Sequence, residues 1–148
     1  MSFEPPKELI FDLEKIEKLL FVLSADFATP LSWEKENTEN QKVKKIKRIN
    51  EENIAFLENK IDEYYSKLPE VRSFVIPGGS KVASFLNQAR TVCRRAERIA
   101  IKLSENEDLT ENSLKFLNRL SDYFFAAMRY ANLLANYSEK VMDFSEFS

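Results

Sequence analysis

Four arginines, Arg90, Arg94, Arg95 and Arg98, crowd one short stretch around Glu97. Guanidinium forks match phosphate oxygens in pairs, so such a cluster can neutralise a triphosphate and stabilise it as a leaving group. The same side chains would equally serve interhelix or intersubunit ion pairs with Asp122 or Glu97. Arg90, Arg94 and Glu97 stand at i, i+4 and i+7, which on a helix puts them on one narrow strip. Further along, Asn118, Asp122, Phe125 and Arg129 stand at i, i+4, i+7 and i+11. Two polar strips beside two apolar seams predict a shared polar cleft.

Other chemistries are excluded by composition. The 148 residues contain no histidine, which removes Ser/His and Cys/His nucleophilic schemes and histidine metal sites. One cysteine, Cys93, makes neither an internal disulfide nor a zinc cluster, and its place on an apolar stripe marks it as a small core residue in a reducing, cytoplasmic setting. The only glycines, Gly78 and Gly79, rule out a P-loop or a GxGxxG turn. The Pro77-Gly78-Gly79-Ser80 turn, with Lys81 beside it, reads either as an anion site at a helix start or as an interhelix turn alone. A net charge of -2 gives no field for nucleic acid or anionic lipid. No apolar run approaches the roughly 20 residues that span a bilayer, so no membrane partner is expected.

The elements that must position these residues are helices. Leu9, Leu13, Ile16, Leu20, Leu23 and Phe27 form the inward stripe of a helix that follows Pro5-Pro6 and ends near Thr29-Pro30. Residues 31–40 show no period and read as a surface loop. Lys42, Lys44, Lys45, Lys47 and Arg48 then read as a solvated charged segment offset by nearby glutamates. A second helix is predicted from Asn50 to Leu68, with Ile54, Leu57, Ile61 and Tyr64 inward and Pro69 stopping it. The third runs from Ser80 to Leu103 on the stripe Val82, Leu86, Ala89, Cys93, Ala96, Ala100 and Leu103. Thr110 and Ser113 cap a fourth, whose seam is Leu114, Leu117, Ser121, Phe124, Met128, Ala131 and Ala135. Met142, Phe144 and Phe147 in the tail are placed to fold back as an apolar cover. The expectation is one all-α domain over residues 1–148, an antiparallel bundle of four main helices.

The segments FVIPGGS, ARTVCRRAER and FLNRLSDYFFAAMRYAN, with the order of elements from Leu9 to Asn132, closely resemble the PduO-type ATP:cob(I)alamin adenosyltransferases. That resemblance implies transfer of the 5'-deoxyadenosyl group of ATP to the cobalt of cobalamin or another corrinoid, with release of triphosphate. It implies that Arg94, Arg95, Glu97, Arg98 and Asn118 contact ATP, that Arg90 pairs with an aspartate of the family's first helix, and that Asp122 lies on the corrinoid side. It further implies that Phe74 lies under the corrin and displaces the lower axial ligand, leaving four-coordinate Co(II) that is easier to reduce. Arg90, Arg94 and Phe74 are thereby the residues expected to carry catalysis. Mg2+, a homotrimer with sites between subunits, and a reductase or cobalamin-dependent enzyme as partner belong to the same implication.

The chain departs from the family pattern at its start. Family members open with a glycine-rich segment that wraps the ATP phosphates, followed by a further helix, and Met1 to Lys7 match neither. A four-helix version of the five-helix bundle is expected, with an apolar groove left for another chain or the tail to cover. Two classes therefore stand: an adenosyltransferase, or a non-catalytic adenosyltransferase-like bundle that binds corrinoid or nucleotide or serves assembly.

Overall fold

The computed structural model describes residues 4–36 and 46–148. Pro6, in the extended conformation, opens α1 (Lys7–Ala28), its carbonyl accepting from the amides of Leu9 and Ile10. Leu9, Ile16 and Leu23 of the expected stripe are buried, whereas Leu20 reaches the surface. Pro30 is followed at once by α2 (Leu31–Glu36), in the stretch read as loop. Six residues are too few to display a helical period, and the turn is held from outside, Leu31 N donating to Asp108 O at 2.8 Å.

The next helix, α3 (Glu51–Ser66), begins in a capping box in which Asn50 and Asn53 satisfy each other's amides. Ser80 caps α4 (Lys81–Ser104), its hydroxyl accepting from Ala83 N, and Thr110 caps α5 (Glu111–Leu134) in the same way through Ser113 N. The four long helices thus start and stop where caps and prolines placed them. A 3-10 turn, Phe144–Phe147, forms the last described element. No helix among the described residues is long and apolar enough to cross a membrane.

Instead of burying one seam, α5 is enclosed on nearly every side. From Phe116 to Asn132 most of its residues are buried, because α3, α4 and α1 all pack on it. Small residues at Ala126, Ala127 and Ala131 let those neighbours approach closely, and each is fully buried. On α4 the buried set is Ala83, Leu86, Cys93 and Ala100, while Ala96 and Leu103 of the expected stripe are exposed.

Two buried carboxylates tie α1 to the rest. Asp12 accepts from the Tyr64 hydroxyl at 2.6 Å and the Tyr123 hydroxyl at 3.4 Å, and Lys60 Nζ stands 3.4 Å from its other oxygen. Burial and the bond to Asp12 push the Tyr64 phenol far above its ordinary value. Asp26 accepts from Arg48 Nη1 at 2.6 Å, from Ile49 N at 3.1 Å and from the Thr110 hydroxyl, so the end of α1 is bound to the starts of α3 and α5. Arg48 is therefore no solvated charge: its side chain is 15% exposed and also pairs with Glu34 at 2.9 Å. Lys47 is exposed, and Lys42, Lys44 and Lys45 lie outside the described residues.

The C-terminal segment does fold back, but onto the α3–α4 connection. Val141 forms an antiparallel bridge with Val75, and Phe144 and Phe147 stay 60% and 73% exposed. Tail residues contribute nothing to the apolar groove of about 450 Å³ that Leu20, Phe85, Val92, Cys93, Leu117 and Phe124 help to line.

Candidate functional site

The glycine turn is fixed from α5. Asn132, 3% exposed, accepts from Ser80 N at 2.9 Å and donates to Gly78 O at 2.8 Å. Gly78 and Gly79 have φ of 109° and 116°, and a Cβ on Gly79 would lie 2.4 Å from Asn132 Oδ1. Only glycine suits that position. Two amides that an entering anion would use, those of Ser80 and Ala83, are already bonded, so the turn works as an interhelix clamp. It sets the start of α4, and with it the arginine strip, relative to α5.

The two strips face one another as their spacing predicts. Asn118 Nδ2 donates to Glu97 Oε2 at 2.8 Å, and Asn118 Oδ1 accepts from Arg119 Nη1 at 2.7 Å. Arg119 Nε in turn reaches Glu58 of α3 at 3.0 Å. Two turns before Glu97 on α4, Arg90, and one turn after Asn118 on α5, Asp122, help to line a cleft of about 640 Å³, together with Phe74, Phe125, Tyr65 and Arg129. The Arg90 guanidinium lies 5.2 Å from the centre of the Phe125 ring, a cation–π placement.

Arg94, Arg95 and Arg98 are exposed and form no ion pair or hydrogen bond among the described residues. The ion-pair reading of this cluster, with Asp122 or Glu97 as partners, is not what the chain builds within itself. Exposed guanidinium groups beside an anchored carboxylate and amide have the chemistry to hold an anion. At the cleft wall, partial desolvation raises the Asp122 carboxyl above its ordinary value; Glu97 adds to the rise, and Arg119, Arg90 and Arg94 oppose it. Cys93 is buried, its thiol donating to Leu117 O at 3.4 Å, and desolvation pushes it up to about 12, which leaves it inert as a nucleophile near neutral pH.

Phe74 is 74% exposed at the far side of the cleft. Its main chain is held by the C-terminal segment, Met142 N donating to Phe74 O at 2.7 Å, and its ring meets Phe144 edge-on at 6.1 Å. Phe74, Arg90 and Asp122 thus share one cleft, Glu97 and Asn118 are bonded to each other, and Arg94, Arg95 and Arg98 stand on the open face next to them. One contributor escaped the sequence reading: Tyr65 lines the cleft from the last turn of α3. Arg129 lines the cleft as its place on the polar strip predicts, but it is buried, its guanidinium 5.8 Å from the centre of the Tyr65 ring. No local pattern announces Tyr65 or the burial of Arg129, because their partners are brought in by the tertiary fold. Among the described residues no group of three or more Cys, Asp or Glu side chains gathers to hold a metal ion.

Residues 3–131 match the cobalamin adenosyltransferase family profile. The chain is 52% identical over 85 residues to the corrinoid adenosyltransferase of Bacillus subtilis, covering 57% of this chain and 44% of that protein. It is 39% identical over 130 residues to the corrinoid adenosyltransferase of Homo sapiens, covering 88% and 50%. The chain therefore spans about half the length of the curated relatives it matches. Among solved structures, a phenylalanine-to-histidine variant of a PduO-type ATP:corrinoid adenosyltransferase from Lactobacillus reuteri, complexed with cobalamin and ATP, superposes with a TM-score of 0.81 at 40% identity, over 92% of this chain and 69% of that one. An arginine-to-lysine variant of the Lactobacillus reuteri enzyme, complexed with ATP, gives 0.78 at 40% identity, over 93% and 72%. With a family profile spanning nearly the whole sequence and the same helical fold recovered, this chain belongs to the cobalamin adenosyltransferase family.

Proposed function

We propose that this chain carries out ATP-dependent corrinoid adenosylation on the α4–α5 face. The observation that carries the reading is the set of exposed guanidinium groups of Arg94, Arg95 and Arg98, unpaired among the described residues, beside the Glu97–Asn118 pair, on the same helix as Arg90, which shares a cleft with the exposed Phe74. In this reading the arginines neutralise the triphosphate of ATP, so that it leaves without building up unpaired charge. Glu97 and Asn118 orient the nucleotide. Phe74 presses on the lower face of the corrin in place of the axial ligand, which eases reduction to Co(I).

The Co(I) electron pair then attacks C5' of ATP: the Co–C bond forms, the C5'–O bond breaks, and triphosphate takes the electrons of that bond. The cobalt makes the bond, while the protein contributes positioning, water exclusion and charge compensation. Mg2+ arrives bound to the triphosphate, since this ion is commonly held by one or two carboxylates and substrate phosphates rather than by a protein cage. Homotrimeric assembly with shared sites, delivery of electrons by a reductase and a cytoplasmic setting complete the proposal. Exposed apolar side chains on α4, Phe85, Val92 and Ile99, support an intersubunit face.

The test is direct. Purified chain, ATP, Mg2+ and chemically reduced cobalamin are mixed, and adenosylcobalamin and triphosphate are followed together. Equimolar formation of the two is expected. A folded chain that yields neither contradicts the proposal and favours the non-catalytic, binding-only reading.

A further inference from the structure

Arg129 is an arginine whose charge the proposed reaction does not use. Its side chain is 6% exposed and forks onto Glu139, Nε to Oε1 at 2.8 Å and Nη2 to Oε2 at 3.2 Å. Nη2 also donates to Pro69 O at 3.0 Å. One guanidinium on α5 therefore grips two segments at once, the α3–α4 connection at Pro69 and the tail at Glu139. These same two segments meet a few residues on. Ile76 N donates to Lys140 O and Met142 N to Phe74 O, each at 2.7 Å, and the Ser73 hydroxyl donates to Met142 O at 2.9 Å.

A bridge this short does not hold two extended segments together in water by itself. Nor does burial fix the Phe74 ring, which is 74% exposed and touches the edge of Phe144. What remains to hold the ring is its main chain, which α5 ties from both sides: at Gly78 through Asn132, and at Pro69 and the paired tail through Arg129. A desolvated bidentate pair is a costly way to fill space, and its best-attested use is to specify one register among several. A bidentate fork defines where Glu139 sits, hence where residues 140–144 run, hence where Phe74 is placed.

We propose that Arg129 is a positioning residue: gripping Glu139 and Pro69, it sets the placement of Phe74 at the cleft through the C-terminal segment. The link from Phe74 to the corrinoid rests on the function proposed above; the link from Arg129 to Phe74 does not.

The experiment separates the two. Glu139→Gln keeps the shape of the fork's partner and removes its charge; Arg129→Lys keeps the charge and removes the fork; Arg129→Met serves only if it folds. Amide hydrogen exchange is measured at Ile76 and Met142 against core amides of α5. In Glu139→Gln the bridge amides are expected to exchange at least about tenfold faster with the core unchanged, and Arg129→Lys should fall between it and the parent. The signature of four-coordinate Co(II) is then read by electron paramagnetic resonance with cob(II)alamin, ATP and Mg2+. It should drop at least about threefold in Glu139→Gln while ATP affinity stays within about twofold.

Unchanged bridge exchange in Glu139→Gln overturns the inference. So does faster exchange with an undiminished cobalt signal, or a parallel loss of ATP binding, which would mark the pair as ordinary scaffold. If the parent chain itself gives no four-coordinate signal, the functional reading fails, and the exchange data alone decide the placement of Phe74.

Discussion

Asn118 and Glu97 join α5 to α4 through one hydrogen bond, Nδ2 to Oε2 at 2.8 Å, at the point where three arginines, unpaired among the described residues, face solvent. Because Glu97 accepts from Asn118 while Arg119 donates to the Asn118 carbonyl, the amide has one working orientation. Replacing it with a second carboxylate sets like charges against each other on the proposed nucleotide face. Asn118→Asp is expected to weaken ATP binding about tenfold, equivalent to about 1.4 kcal/mol. The site is exposed, so chemical denaturation should register a change of no more than about 1 kcal/mol. A large loss of stability with unchanged ATP affinity would place Asn118 in the scaffold instead.

Asp122 gives the account a pH dependence. A carboxyl held above its ordinary value in the folded chain releases its proton more readily when unfolded. Its contribution to stability is thus fully present below the ordinary carboxylate value and is lost as the pH rises through the folded one. Asp122→Asn removes that loss. Its melting temperature should exceed the parent's by about 2 °C at pH 7, a small gain because the group is partly solvated, and the gap should close below about pH 4. A variant less stable than the parent at pH 7 would contradict this assignment.

Gly78 and Gly79 should respond differently to alanine. Both carry positive φ, but the added Cβ meets only Ser84 Oγ at 3.9 Å in Gly78→Ala, whereas in Gly79→Ala it runs into the Asn132 side chain that holds Ser80. Backbone strain alone is worth roughly 1–2 kcal/mol, and the collision brings Gly79→Ala to roughly 3 kcal/mol or more. Thermal melts should show the second variant falling at least about 5 °C below the first. Equal losses would mean that the Asn132 clamp has little energetic weight.

Cys93 reports on the core. With its thiol pushed up to about 12 against an ordinary 9.0, the folded chain holds a roughly thousandfold smaller thiolate fraction at pH 8 than the unfolded one. Labelling by a colorimetric disulfide reagent should therefore be negligible in buffer and complete in denaturant. Rapid labelling of the native chain would show that the groove beside Cys93 opens readily.

Much of this architecture is legible in the sequence alone. Period and caps placed α1, α3, α4 and α5 because Asn50, Ser80 and Thr110 act on amides within three residues, which is a local matter. The α4 strip was legible for the same reason, since helical spacing alone puts Arg90, Arg94 and Glu97 side by side. What stayed hidden depends on partners distant in sequence. Asp12 and Asp26 look like surface charges on α1 until Tyr64 and Arg48 are brought to them. Arg129 looks like the end of a polar strip until Glu139 folds back over it. Leu20, read as core, faces the groove because no described residue packs over it.

In the proposed function the arginine face of α4 receives the triphosphate of ATP. Isothermal titration of the chain with ATP and Mg2+, run beside Arg94→Ala, tests it most directly. Saturable binding by the parent and a loss of at least about tenfold in the variant are expected, with melting temperatures within about 2 °C because Arg94 forms no ion pair or side-chain hydrogen bond among the described residues. Equal affinity in parent and variant, or no binding by a folded parent chain, would contradict it.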